Sequence, residues 1–166
     1  MLQVESARGP HVELRIKPSA RLISLMRRFL SDMLREVLTE AEDAWRIGLA
    51  AHELVENAFR HSIDGEVDVS IDVAEEGEGH ILTLRIKNRA TPEQRQTLRT
   101  HLDELSAASD ALEHYLAVMR RSAQRESGLG LARVRAEADM TVSGDFDGDE
   151  VCIMARTPVR LMGATA

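Results

Sequence analysis

Ala51-His52-Glu53-Leu54-Val55-Glu56-Asn57-Ala58-Phe59-Arg60-His61-Ser62 is the stretch that decides how this chain is read. At helical spacing, Ile47, Ala51, Leu54, Val55 and Ala58 form one apolar stripe, as an amphipathic helix requires. On the other side Glu53, Asn57 and His61 follow one another at i,i+4, and Glu56 and Arg60 repeat that spacing beside them. Magnesium takes hard oxygen ligands and keeps several waters, so an Asn oxygen can supply one ligand without adding charge. A carboxylate one turn away can orient a water or accept a proton from a hydroxyl. Glu53 as base and Asn57 as metal ligand therefore make chemical sense on one face. A solvated polar face with a Glu56–Arg60 pair accounts for the same residues, and taken alone the helix favours that plainer reading. His61 by itself reads as a capping or surface residue.

Around this helix, which is expected from about Glu40 to His61 or Ser62 with Gly65 just past its end, the pattern alternates between strands and helices. Residues 11–17 place Val12, Leu14 and Ile16 on one face of a half-buried strand, closed by Pro18. Ser19 can cap a helix in which Leu22, Leu25, Met26, Phe29, Leu30, Met33, Leu34 and Val37 recur at helical spacing. Val67, Val69, Ile71 and Val73 mark one strand, and Ile81, Leu82, Leu84 and Ile86 a second, with Glu75 to Gly79 as the hairpin loop. Thr91-Pro92-Glu93 starts a helical stretch that runs to about residue 125 with a break near Ser106 to Ser109. Another helix runs from Ser127-Gly128-Leu129-Gly130 to about Ala138. Strands near Met140 to Phe146 and Val151 to Thr157 follow, joined by Asp147-Gly148-Asp149. Helices and antiparallel strands in this order describe an α+β protein, a two-layer α/β sandwich.

The chain has 166 residues, 43% hydrophobic and 30% charged, which suits a single domain spanning the whole length. A net charge of -7 argues against a nucleic-acid binder, because neutralising a phosphate backbone needs a basic footprint. Aromatic content of 3% offers few stacking platforms for single strands. No apolar run reaches the length of a membrane span, and Met1 to Pro10 lacks the apolar stretch of a signal peptide. The single cysteine, Cys152, cannot form an internal disulfide, so a reducing, cytoplasmic setting is expected and Cys152 is read as a small strand residue.

Gly128-Leu129-Gly130-Leu131-Ala132 precedes a helical pattern. Glycines permit close backbone approach, and the N–H groups at a helix start attract phosphate. Arg120, Arg121 and Arg125 form a basic cluster just upstream, suited either to phosphate or to a solvated helix face.

Glu53-x-x-x-Asn57-Ala58, followed by Arg60-His61, resembles the N-box of the GHKL ATPase superfamily. That superfamily includes histidine-kinase catalytic domains and the anti-sigma-factor serine/threonine kinases. In it the motif Glu is the general base and the motif Asn holds magnesium, which the resemblance places on Glu53 and Asn57. Gly128-Leu129-Gly130-Leu131 is similar to the second glycine box of the family, whose backbone contacts the phosphates under a mobile lid. The run Ala123 to Ser127 would belong to that lid. The resemblance implies a Bergerat-type sandwich with a mixed, mainly antiparallel sheet and helices on one face. It also implies ATP and Mg²⁺ as ligands. The nucleotide site would comprise Asn57, Arg60, His61, Asn88, Arg125, Ser127, Gly128, Leu129, Gly130 and Leu131, with Asn57 as the metal ligand.

Where the family has a D-x-G-x-G box whose Asp binds the adenine amino group, this chain has Ile86-Lys87-Asn88-Arg89-Ala90-Thr91-Pro92. Asn88 stands at the Asp position, and an Asn oxygen can still accept a hydrogen bond from an amino group. The layout over roughly residues 45–157 resembles SiaB-type kinases, bacterial signalling switches that phosphorylate a partner on a hydroxyl residue. That implies a serine/threonine kinase of the anti-sigma-factor type, acting on a small regulatory protein that is either anti-anti-sigma (STAS-like) or SiaC-like. A non-catalytic module of the same fold that sequesters a partner fits the altered box as well. A detached histidine-kinase domain fits less well, since the helix at 20–38 carries no His as phosphoacceptor. Met26, Met33 and the leucines around them read most simply as core, but part of that face is equally suited to a homodimer.

Overall fold

The computed structural model describes residues 9–17, 19–122 and 128–163. Pro18, Arg125, Ser127 and the proposed lid residues 123–127 lie outside the described residues. The elements are β1 (His11–Ile16), α1 (Ala20–Arg35), α2 (Ala41–His61), β2 (Val67–Glu76), β3 (Gly79–Arg89), α3 (Pro92–Ala107), α4 (Ala111–Ser122), α5 (Leu129–Glu137), β4 (Thr141–Asp147) and β5 (Glu150–Val159).

Alternation along the strands sorts their side chains to two faces. Val67, Val69, Ile71 and Val73 of β2, Leu82, Leu84 and Ile86 of β3, and Val151, Ile153 and Ala155 of β5 are all buried in one core with the helices. The opposite face carries ion pairs instead: Arg15 to Asp68 at 2.6 Å and Arg85 to Asp72 at 2.5 Å. Cys152 lies among these residues, half-buried, and burial pushes its thiol above the usual value. The sheet order is β1-β2-β3-β5-β4. The mainly antiparallel sheet expected from the sequence is antiparallel at every pairing between these strands. The β2–β3 connection is shorter than the expected loop. Gly77 takes a left-handed φ of 62°, so Gly77-Glu78 turns the chain and both strands extend into the acidic stretch.

Ser19 caps α1, its Oγ accepting the Leu22 N–H at 3.2 Å. The apolar stripe of α1 is wider than the surface it covers. Ile23, Met26, Leu30 and Leu34 are buried, whereas Leu25 and Phe29 face outward at 53% and 49% exposure. α1 packs closely on α2. A Cβ added to Gly48 would come 2.1 Å from the Ser31 hydroxyl oxygen, so glycine permits the crossing.

α3 begins on a capping box in which Thr91 and Gln94 satisfy each other's backbone N–H at 2.9 and 3.3 Å, with Pro92 in the first turn. Its last carbonyls receive Arg135 of α5, which donates to Leu105 and, at 2.8 Å, to Ala108. The expected break follows, and Asp110 accepts the Glu113 N–H at 2.7 Å to start α4. Among the described residues, no helix is long and apolar enough to cross a membrane.

Candidate functional site

The stripe Ile47, Ala51, Leu54, Val55 and Ala58 is fully buried. That fixes the rotation of α2 and turns Glu53, Asn57 and His61 toward α3, α4 and α5. Two adjoining cavities open along this seam. One, of about 180 Å³, is mainly apolar: Leu54, Ala58, Ile86, Leu98, Leu131, Val151 and Ile153 line it, together with Asn57, His61, Asn88, His101 and Gly128. The other, of about 460 Å³, is more polar and holds Glu53, Glu56, Asn57, Arg60, Tyr115, Gly128, Leu129, Gly130 and Arg133. Asn57 and Gly128 line both, so the two cavities adjoin at these residues.

Of the described residues expected in the nucleotide site, Glu53, Asn57, Arg60, His61, Asn88 and Gly128 to Leu131 each line one cavity or the other. Glu53 and Asn57 are a turn apart on α2, and the Glu53 side chain is 17% exposed. Its Oε1 accepts from Arg133 Nη1 at 2.7 Å. Gly130 passes close by, and a Cβ there would stand 3.3 Å from Glu53 Oε2. Arg60 donates to Glu56 at 3.1 Å at the rim of the polar cavity.

Asn88 is buried at 8% exposure near the end of β3. The backbone around it is held from two sides. The Ile63 N–H donates to the Arg89 carbonyl, and the Ala90 N–H to the Asp149 carbonyl, both at 2.9 Å. The Arg89 guanidinium also pairs with Asp149 and Asp64, at 2.5 and 3.4 Å, which holds both carboxyls below the usual range. For Asp64, the Glu66 N–H and the Ser62 hydroxyl contribute more than Arg89.

Gly128 caps α5 in a left-handed conformation, φ 84°. A Cβ there would sit 3.1 Å from the His101 ring, so both conformation and space select glycine. The first N–H groups of α5 thus open at the junction of the cavities, an arrangement that favours an anion. Burial lowers the proton affinity of His61, and the charges of Arg60 and His101 lower it further. Burial does the same to His101, where Glu104 acts in the opposite sense and Arg121 in the same.

Arg120 and Arg121, candidates for the phosphate charge, line neither cavity, and Arg121 pairs with Glu104 at 3.4 Å. Among the described residues, the positive charge lining the polar cavity comes from Arg60 and Arg133. The contribution of α3 went unread in the sequence, although Gln94, Thr97, Leu98 and His101 follow i, i+3, i+4, i+7 spacing and all line the apolar cavity. Arg133 and Tyr115 had no such signal.

Residues 16–154 match the family described as Histidine kinase-like ATPase domain. A chain of the SiaB–SiaC complex from Pseudomonas aeruginosa has the same fold, with a TM-score of 0.62, 15% identity and 89% of each chain covered. No curated protein matches the sequence significantly. With the family spanning most of its length, and the glycine turn meeting the Asn57 helix between the two cavities, this chain belongs to the histidine kinase-like ATPase domains.

Proposed function

We propose that this domain binds Mg-ATP and transfers the γ-phosphoryl group to a serine or threonine hydroxyl of a small regulatory protein. The observation that carries the proposal is the meeting of an apolar and a polar cavity at Asn57 and Gly128, with Glu53 in the polar one. The purine sits in the apolar cavity, where Asn88 meets its amino group. The α5 N-terminus and Gly128 to Leu131 hold the phosphate tail.

The donor set fits magnesium that arrives with phosphates. Among the described residues, no group of three or more His, Cys, Asp or Glu side chains could hold a metal ion alone. Asn57 offers one neutral oxygen, and Mg²⁺ commonly takes its remaining ligands from phosphates and water. When bound, the ion offsets phosphate charge. Glu53 orients the substrate hydroxyl and takes its proton, so the rate rests on placement and electrostatics. A protein substrate is supported by the fold shared with a chain of a two-protein complex.

The test is phosphotransfer from Mg-ATP to a STAS-like or SiaC-like protein, with the product located by mass spectrometry. Glu53→Gln is expected to lower the rate by about 10²–10⁴, the usual scale of general-base catalysis, while the calorimetric Kd for Mg-ATP stays unchanged. Equal transfer by the variant would remove Glu53 from the mechanism. If the wild-type chain binds its partner but transfers no phosphate, the domain is a sequestering module.

A further inference from the structure

Arg133 stands at the third residue after Gly130, one turn along the same face of α5. Its guanidinium joins two helices. Nη1 donates to Glu53 on α2 at 2.7 Å, and Nε donates to Glu137 one turn on at 2.8 Å. Tyr115 of α4 lies near Glu137, and burial, followed by this carboxylate, raises the proton affinity of its hydroxyl. Glu137, Arg133 and Glu53 thus form a hydrogen-bonded chain from α5 to α2, and its end is the proposed base.

The two oxygens of Glu53 have different surroundings. Oε1 is held by Arg133, whereas Oε2 lies beside Gly130 in the phosphate turn. A planar guanidinium can serve two carboxylates from one rigid fork, which an ammonium on a flexible stem does poorly. Glu137 fixes the fork, so the fork fixes the Glu53 rotamer.

We infer that Arg133, braced by Glu137, is a positioning residue for Glu53. It holds one carboxylate oxygen so that the other stays turned to the substrate hydroxyl beside the glycine turn. The inference rests on the proposed phosphotransfer reading and names a residue that serves the same site. Because Gly130 and Arg133 share one short helix, the helix that receives the phosphates also sets the base.

The experiment compares wild type, Glu53→Gln, Arg133→Gln, Arg133→Lys, Arg133→Ala and Glu137→Gln, using Mg-ATP as the probe. Phosphotransfer from Mg-ATP to the STAS-like or SiaC-like acceptor and the calorimetric Kd for Mg-ATP are measured for each, with circular dichroism melts to confirm folding. Arg133→Gln is expected to lower kcat at least about tenfold, the scale seen for residues that orient a reacting group, with Kd within about twofold. Arg133→Lys should recover only part of the loss, and millimolar guanidinium should restore turnover to Arg133→Ala, which a merely structural role would not allow. Glu137→Gln should lower kcat in the same direction by less.

A raised Kd with unchanged kcat in Arg133→Gln would make Arg133 a phosphate ligand and overturn the inference. Wild-type turnover by Arg133→Gln, with Glu53→Gln inactive, would sink the positioning role while leaving the phosphotransfer reading standing. Absence of turnover by the wild-type chain, or full turnover by Glu53→Gln, would remove both.

Discussion

His61 and His101 share the wall of the apolar cavity, and burial lowers the proton affinity of each. The unfolded chain therefore takes up protons on these rings at a higher pH than the folded chain does. Stability from this source is complete above the ordinary histidine value and falls as pH drops through it, toward the lowered folded value. Thermal melts between pH 7.5 and 5 should show the melting temperature falling with pH, and the His61→Gln/His101→Gln double variant should fall less steeply. Both rings are partly open to solvent, so the difference in slope is shallow. A steeper fall in the double variant would contradict this account. At this scale Glu53 and Asn57 were legible because their spacing and their chemistry point the same way. Arg133 was not, because its carboxylate partner lies 80 positions away and only folding joins them.

The packing of α1 on α2 turns on a single missing side chain. Gly48→Ala would bring a Cβ to 2.1 Å from Ser31 Oγ and force the helices or the Ser31 rotamer to shift. Overpacking of this kind costs about 1–3 kcal/mol. With Ser31→Ala the next obstacle is the Ser31 Cβ at 3.4 Å, and an alanine inside a helix is favoured over glycine by about 1 kcal/mol. In urea denaturation Gly48→Ala should therefore be destabilising alone and close to neutral in the Ser31→Ala background. Additive effects in that cycle would show that the two groups do not meet.

The elements themselves were largely readable, since alternation marks the strands and Ser19, Thr91-Pro92 and Gly128 mark helix starts. Their lateral order was less accessible. β3 pairs with β5 across three intervening helices, matching Arg89 to Glu150, and no local pattern announces that register. Nor did the apolar spacing of α1 show which side of a wide stripe would meet α2. Leu25 and Phe29 belong to that stripe and stay outside.

For the molecule as a whole, a ligand that binds only the folded state raises stability by an amount set by its concentration relative to Kd. At a hundredfold excess over Kd, Mg-ATP should add about 2.7 kcal/mol, a rise in melting temperature of roughly 5–10 °C for a chain of this size. Removing the metal with EDTA should cancel most of the rise. An Asn57→Ala variant should behave with Mg-ATP as the wild type does with EDTA. A melting temperature indifferent to Mg-ATP would count against a nucleotide site.

α5 is nine residues long, too short to persist as a helix without neighbours. Its ties run to each of the other helices around the site: Arg133 bonds to α2, Arg135 bonds to the carbonyl end of α3, and the helix packs along α4. The glycine turn at its head thus has no rigidity of its own and borrows all of it. Loosening any one of those neighbours, whether by a docked protein, a change of salt or heat, would loosen the turn that is proposed to hold the phosphates. The helix makes the site a sensor of its own scaffold.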